Sequence, residues 1–232
     1  MRQAALVRGD GWASHNIWEH SAAVRELYGR RARGEAEEMT CHRQAAELLA
    51  PLCAPGESLL DAGCGSGYFF HSLRHAGLEV EYHGIDATRC LVDLGREALP
   101  RFGLPAERLQ TMRIEDLDGS ADHVVCINVL SNIDNFHRPL ERLLSVARKS
   151  VVLRESLGER PDYKYVEDRY LDESLRVHVN TYATEEVAAF ARERGFRVRV
   201  EKDQRAGDEP ELVIGYPHYW KFLVCERAQG AA

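Results

Sequence analysis

The stretch Ser58-Leu59-Leu60-Asp61-Ala62-Gly63-Cys64-Gly65-Ser66-Gly67-Tyr68-Phe69-Phe70 decides the fold. It reads as a buried apolar strand running into a glycine loop and directly into a helix. A parallel strand that ends this way carries main-chain N–H groups and a helix N-terminus to the carboxyl edge of a sheet, where open α/β folds bind ligands. Glycines at the alternate positions 63, 65 and 67 let the backbone lie against a ligand with no Cβ in the way. A dinucleotide-binding turn has its third glycine three residues after the second, whereas here the three alternate and position 68 is Tyr. Taken alone, the triplet also fits an ordinary strand-to-helix turn. The next element narrows the choice. Glu81-Tyr82-His83-Gly84-Ile85-Asp86 is a short strand ending in an acid about 20 residues beyond the glycines, where a carboxylate can accept both hydroxyls of a ribose. The alternative makes Asp86 only the N-cap of the helix that starts near Thr88.

Composition sets the outer limits. At 232 residues, 44% hydrophobic and 29% charged, the chain suits one soluble α/β domain with decorations. A net charge of −7 argues against a nucleic-acid partner, because phosphate affinity comes from clustered Lys and Arg. The six cysteines (41, 53, 64, 90, 126 and 225) are scattered, with no C-x-x-C pair to suggest zinc or a dithiol switch, as expected of reduced thiols in a cytoplasmic protein. No apolar run approaches a membrane span, and the N-terminus is charged where a signal peptide needs an apolar core.

Read in order, Met1 to Trp12 shows no period and is expected along the surface. Ser14 to Gly34 reads as a helix with Ile17, Val24, Leu27 and Tyr28 on one face. A second helix, capped by Thr40, carries Ala45, Leu48, Leu49 and Leu52. After the glycine corner come a helix with Phe69, Phe70, Leu73 and Ala76, the strand 81–86, and a helix with Leu91, Leu94 and Ala98. The third strand is read at 109–114 and the fourth at 123–129, whose run Val124-Val125-Cys126-Ile127 is that of a parallel strand covered on both faces. A helix with Leu140, Leu143, Leu144 and Ala147 leads to a fifth strand at 150–153. From Arg154 to Tyr182 the period dissolves into Tyr163, Tyr165, Arg169, Tyr170, Arg176 and His178, which reads as an irregular substrate lid. A helix from Thr184 to Gly195 and strands at 196–200 and 219–225 close the chain, joined by a polar segment from Asp203 to Pro217.

The alternating-glycine loop behind Asp61, with Asp86 after it, resembles motif I and its ribose acid in the class I S-adenosylmethionine (SAM) methyltransferases. The likeness covers about residues 55–155 and extends more loosely to 226. It implies an α/β fold with a seven-stranded mostly parallel sheet, helices on both faces and a closing antiparallel pair. Within a single domain, 1–54 would be an N-terminal helical cap, 55–155 the SAM-binding core, 156–182 the lid, and 183–232 the last helix and strands. The cofactor implied is SAM. Asp61, Gly63, Cys64, Gly65 and Gly67 would lie on its methionine part, Asp86 and Ala87 on the ribose, and Ile114 with Glu115 or Asp116 on the adenine. Asn128 and Val129 would stand where the methyl points, and Asn128, Ser131 and Asn132 would contact cofactor or acceptor or, equally, cap the helix that begins near Arg138-Pro139. Two departures are visible: Arg113 and Ile114 precede the acid expected at the third strand's end, and Val129-Leu130 replace the Pro-Pro-aromatic of amide-nitrogen methyltransferases. Family members often cover cofactor and acceptor with preceding helices. Trp18, Tyr28 and Glu37-Glu38-Met39 are therefore candidate lining residues, against an ordinary packing role.

Methyl transfer from a sulfonium is an in-line displacement, which demands alignment first and, for a hydroxyl acceptor, a base. Glu155, at the end of the fifth strand, and His178, in the lid, are the candidate bases, with His137 and His218 behind them. No acidic set suggests a catechol-type magnesium site, and there is no Pro-Cys nucleophile. The expectation is a metal-independent O- or N-methyltransferase of a small polar molecule such as a sugar or natural-product intermediate. The alternatives are a nicotinamide oxidoreductase and a catalytically silent SAM-binding module.

Overall fold

The computed structural model describes residues 16–168 and 172–228. The segment from Met1 to Trp12, the start of the first helix at Ser14, and Arg169 and Tyr170 of the lid lie outside the described residues. In chain order the elements are α1 Ile17–His20, α2 Ala22–Ala32, α3 Thr40–Leu49, β1 Ser58–Ala62, α4 Phe69–His75, β2 Glu81–Asp86, α5 Arg89–Ala98, β3 Leu109–Thr111, β4 Ala121–Ile127, α6 His137–Val146, β5 Ala147–Gly158, β6 Tyr165–Asp168, β7 Asp172–His178, β8 Tyr182–Ala183, α7 Thr184–Glu193, β9 Phe196–Lys202, β10 Glu211–Val213, β11 Tyr216–His218 and β12 Trp220–Arg227.

The main sheet runs β3-β2-β1-β4-β5-β12-β9, with β8 added to the end of β5. β1, β2, β3, β4 and β5 are mutually parallel, while β12 lies antiparallel between β5 and β9. The sheet is the expected one. Strand order reverses at β1, whose neighbours are β2 and β4, so the ligand crevice of an open α/β sheet falls at the carboxyl ends of these strands.

Period-two alternation sorts the strands between two cores. Val124, Cys126, Val151, Leu153, Leu223 and Cys225 turn to the face covered by α6 and α7, where Leu140, Leu143, Val187 and Ala191 meet them. Val125, Val152, Phe222 and Val224 turn to the opposite face, against Ala45 and Leu49 of α3, Phe69 and Leu73 of α4 and Val92 of α5. Each large apolar side chain buried in this way contributes about 1.5–3 kcal/mol. β5 is therefore apolar on both sides, and a strand of that kind hides its own parity.

Several boundaries differ from the sequence reading. The first helix breaks at Ser21, whose Oγ accepts from Val24 N at 3.2 Å and so caps α2. Thr40 opens α3 as its first residue rather than capping it. β3 is shorter than expected and β5 is longer, reaching Gly158. The lid is not irregular: β6 and β7 pair as an antiparallel hairpin, and Asp162 bridges Thr181 beneath it. The polar segment before β12 likewise folds a hairpin, β10 on β11.

Candidate active site

The glycine corner is fastened to the end of β2. Gly63 N and Cys64 N donate to Ile85 O at 2.8 and 2.9 Å, while Gly65 N donates to Asp86 Oδ2 at 2.8 Å and Thr88 N to Asp86 Oδ1 at 2.7 Å. Asp86 thus holds the loop and the start of α5, with the Thr88 side chain adding to these bonds, and its remaining acceptor capacity belongs to a carboxylate that lines the cavity above. Burial raises its pKa, against the pull of those N–H groups. Asp61 is 4% exposed, accepts from Tyr82 OH at 2.6 Å, and is pushed up by burial to about 7. Gly65, at φ +56°, has no room for a side chain, because a Cβ there would lie 2.4 Å from the Tyr28 ring.

The cavity has a volume of about 1100 Å³. One small-molecule ligand typically occupies a site of roughly 300–1000 Å³, so there is room here for a cofactor and an acceptor together. Asp61, Gly63, Cys64, Gly65, Asp86, Ala87, Ile114, Glu115, Asn128 and Val129 all line it. Gly67 does not: a Cβ there would meet Leu109 and Leu99 at 2.9 and 3.0 Å, so this glycine serves the packing of the loop on the core. Of the two acids after β3, Glu115 lines the cavity, 3.4 Å from the Arg113 guanidinium, and Asp116 does not. Trp18, Tyr28 and Glu37-Glu38-Met39 line it too, which makes α1, α2 and the turn before α3 part of the site wall.

Glu155 is not at this cavity. As the next residue after Arg154 on β5 it turns to the α6 face, 2% exposed, where its carboxylate accepts from the backbone N–H of Val129, Leu130 and Ser131 at 3.0, 2.9 and 2.9 Å and from Ser131 Oγ at 2.7 Å. A carboxylate that satisfied is an anchor for the loop after β4 and not a base for an acceptor. The loop it holds places Asn128 at φ 60°, in the left-handed region that Asn tolerates, with Asn128 N on Arg154 O at 2.8 Å. His178, the other candidate base, does line the cavity, half-buried and stacked on Tyr165 at 4.5 Å; burial lowers its pKa. His137 is exposed, packs on Phe136 and does not line the cavity.

Three residues that the sequence reading passed over form the other half of the wall. Arg154 is 3% exposed; its Nε donates to Asp203 Oδ2 at 2.7 Å, its Nη1 to Asn128 Oδ1 at 2.5 Å, and its guanidinium covers the Trp220 ring at 4.4 Å. His42, in the first turn of α3, stacks on Tyr68 at 4.7 Å, and its ring makes no hydrogen bond among the described residues. Burial, then Arg31 and Arg154, hold its pKa down to about 3, so the ring is neutral. Arg31 lies over the Tyr28 and Tyr68 rings at 5.5 and 5.0 Å, with no carboxylate within ion-pair distance among the described residues. His218, named behind the two first candidates, also lines the cavity.

The geometry agrees with what comparison shows. A family model described as "Methyltransferase domain" matches residues 31–201, more than half of the chain. No curated protein sequence matches the chain. Among solved structures, the chain is similar to magnesium protoporphyrin IX methyltransferase of Synechocystis PCC 6803 with bound SAM, at 18% identity and TM-score 0.65, over 97% of this chain and 100% of that one. It is similar to the CcbJ methyltransferase of Streptomyces caelestis at 14% identity and TM-score 0.61, over 92% and 99% of the two chains. It is also similar to the 1,6-didemethyltoxoflavin-N1-methyltransferase of Burkholderia thailandensis, solved with its acceptor and S-adenosylhomocysteine, at 15% identity and TM-score 0.59, over 98% and 93%. These likenesses are of fold. The sequence match sets the nicotinamide alternative aside: the chain belongs to the methyltransferase-domain family and is a class I, SAM-dependent methyltransferase.

Proposed function

We propose that the protein transfers the methyl group of SAM to an oxygen or nitrogen of a small polar molecule, without a metal. The observation that carries this reading is the single cavity that joins the glycine corner and Asp86 to a chamber walled by Tyr28, His42, Arg154, His178, His218 and Trp220. The first half fits the cofactor. Asp86 has spare carboxylate lone pairs for ribose hydroxyls, Ile114 and Glu115 follow the next strand for the adenine, and Arg31, over the Tyr28 ring on the same cavity wall, suits the methionine carboxylate. SAM supplies an electrophilic methyl on a sulfonium. What the chain must add is alignment of the acceptor, exclusion of water and, for a hydroxyl, somewhere for the proton to go.

His178 is the base candidate on the cavity wall, and burial lowers its pKa, which favours the unprotonated ring. Among the described residues, no group of three or more His, Cys, Asp or Glu side chains is arranged to hold a metal ion. A cytoplasmic setting is read from the six free cysteines, none of which is paired. No helix among the described residues is long and apolar enough to cross a membrane. The test is turnover of SAM to S-adenosylhomocysteine with a panel of small hydroxyl and amine acceptors. His178→Asn should lower the rate on a hydroxyl acceptor by about 10² or more while leaving cofactor affinity in place. A wild-type rate in that variant across the pH range would remove His178 from the mechanism.

A further inference from the structure

The chamber beyond the cofactor corner has a chemical preference of its own. Arg154 carries five N–H donors. One meets Asp203 and one meets Asn128, and the others have no partner among the described residues, although the side chain is only 4% exposed and lines the cavity. Asp203 is fully engaged in return, accepting from Arg205 N and Ala206 N at 3.0 and 2.8 Å as well as from Arg154. The guanidinium is held rigidly by these bonds and by its stacking on Trp220. Such a group, desolvated with an edge left open, awaits acceptor atoms from outside the protein.

Its neighbours sharpen the requirement. His42 and His218 line the same cavity, and burial, with the Arg154 charge contributing, lowers the pKa of both. His218 Nδ1 lies 3.2 Å from Tyr216 O, an arrangement that places the ring proton on Nδ1 and leaves Nε2 as an acceptor, without a partner among the described residues. His218 is stacked on Trp220 at 4.7 Å. Burial first, then the charges of Arg31 and Arg154, lower the pKa of His42, so its ring adds no charge to the chamber wall. A flat aromatic surface beside an open guanidinium edge suits a planar anion.

We propose that the methyl acceptor is a carboxylate-bearing small molecule, its carboxylate docked on the open edge of Arg154. This rests on the methyltransferase reading above and adds the acceptor's class to it. A bidentate arginine–carboxylate contact is directional as well as charged, so the acceptor's remaining reactive group is fixed relative to Asn128, which Arg154 itself holds at the cofactor's edge.

The test uses the full chain saturated with S-adenosylhomocysteine and two probes of equal shape, benzoate and benzamide, followed by ligand-observed NMR titration. Benzoate should bind at least about tenfold more tightly than benzamide. Arg154→Lys keeps the charge and the Asp203 pair but loses the fork, and Arg154→Met with Asp203→Asn removes both charges together. Either should abolish the preference, and S-adenosylhomocysteine binding reports that the variant is folded. Equal affinities for the two probes, no benzoate binding at about 10 mM, or a preference that survives both variants would overturn the proposal. Failure of the unsubstituted protein to bind S-adenosylhomocysteine would instead overturn the reading it rests on.

Discussion

The two edges of one sheet treat their polar groups in opposite ways. At the amino edge, below β1, β4 and β5, the groups close on one another. His123 lies between Ser150 Oγ and Glu57 Oε2, 2.8 Å from each; Ser58 N and Oγ meet Asp122 at 3.0 and 2.9 Å; Arg148 reaches Asp122, and Lys149 reaches Glu57. Partners therefore set the acids there. Glu57 is held down to about 2 by the Ala54 N–H and then by Lys149 and His123. At the carboxyl edge, burial wins instead: Asp61 is pushed up to about 7, Asp86 and Glu155 are raised, and His42 is lowered to about 3. The amino edge spends its polar groups on the fold, while the carboxyl edge keeps some of its own open at a cost in stability that a ligand can offset.

The contrast makes its largest prediction about pH. Asp61 has a folded pKa above its unfolded one, so the folded state holds a proton that the unfolded state has lost between about pH 3.8 and 7, and stability falls across that window as pH rises. Asp61→Asn should abolish that fall, a difference on the order of 4 kcal/mol at pH 8. Urea unfolding of both proteins from pH 4 to pH 8 measures it, and parallel curves would show that burial does not govern this acid.

Glu155→Gln is expected to have an intermediate effect. The amide keeps one acceptor oxygen where the carboxylate had two, and a loop N–H then faces an NH₂ group, at a cost of about 1–3 kcal/mol in stability. Because the loop carries Asn128 and Val129, cofactor affinity should fall as well, while the pH profile of the remaining turnover keeps its shape. A profile that loses its ascending limb would return Glu155 to the role of base.

Glu57→Gln should have the smallest effect. Glu57 has a depressed folded pKa, so the stability it contributes is present above pH 4.5 and is lost as pH falls toward 2. Its side chain is 17% exposed and its ion-pair partner Lys149 is 50% exposed, so screening keeps the contribution modest. The variant should be flatter than the wild type in urea unfolding between pH 2 and 4.5, with unchanged cofactor affinity at pH 7. Weakened cofactor binding would mean that the two edges are coupled.

How far the sequence could be read follows from the same physics. The strand-glycine-helix corner and Asp86 are local in sequence, since the loop, the ribose acid and the apolar runs beside them need only spacing to be recognised. The long connection after β5 read as irregular because its residues alternate aromatic with charged, and only pairing across a turn, as in Tyr165 opposite His178, makes it a hairpin. Glu155 was misplaced by a single step of strand parity. Val151, Val152 and Leu153 are all buried, so nothing local says which of positions 154 and 155 faces α3 and which faces α6. Arg154 and His42 have no local signal at all, because what defines them lies far along the chain: Asp203 and Trp220 for the one, Tyr68 for the other.

The central claim is that the carboxyl edge, through Asp86, holds SAM. Calorimetric titration of SAM into the wild-type protein, Asp86→Ala and Glu57→Gln tests it most directly. Losing hydrogen bonds to a carboxylate should weaken SAM by roughly 10 to 100-fold in Asp86→Ala. Glu57→Gln, with the same loss of one acid at the opposite edge, should match the wild type. Absence of SAM binding by the wild type, or equal affinity in Asp86→Ala, would contradict the account.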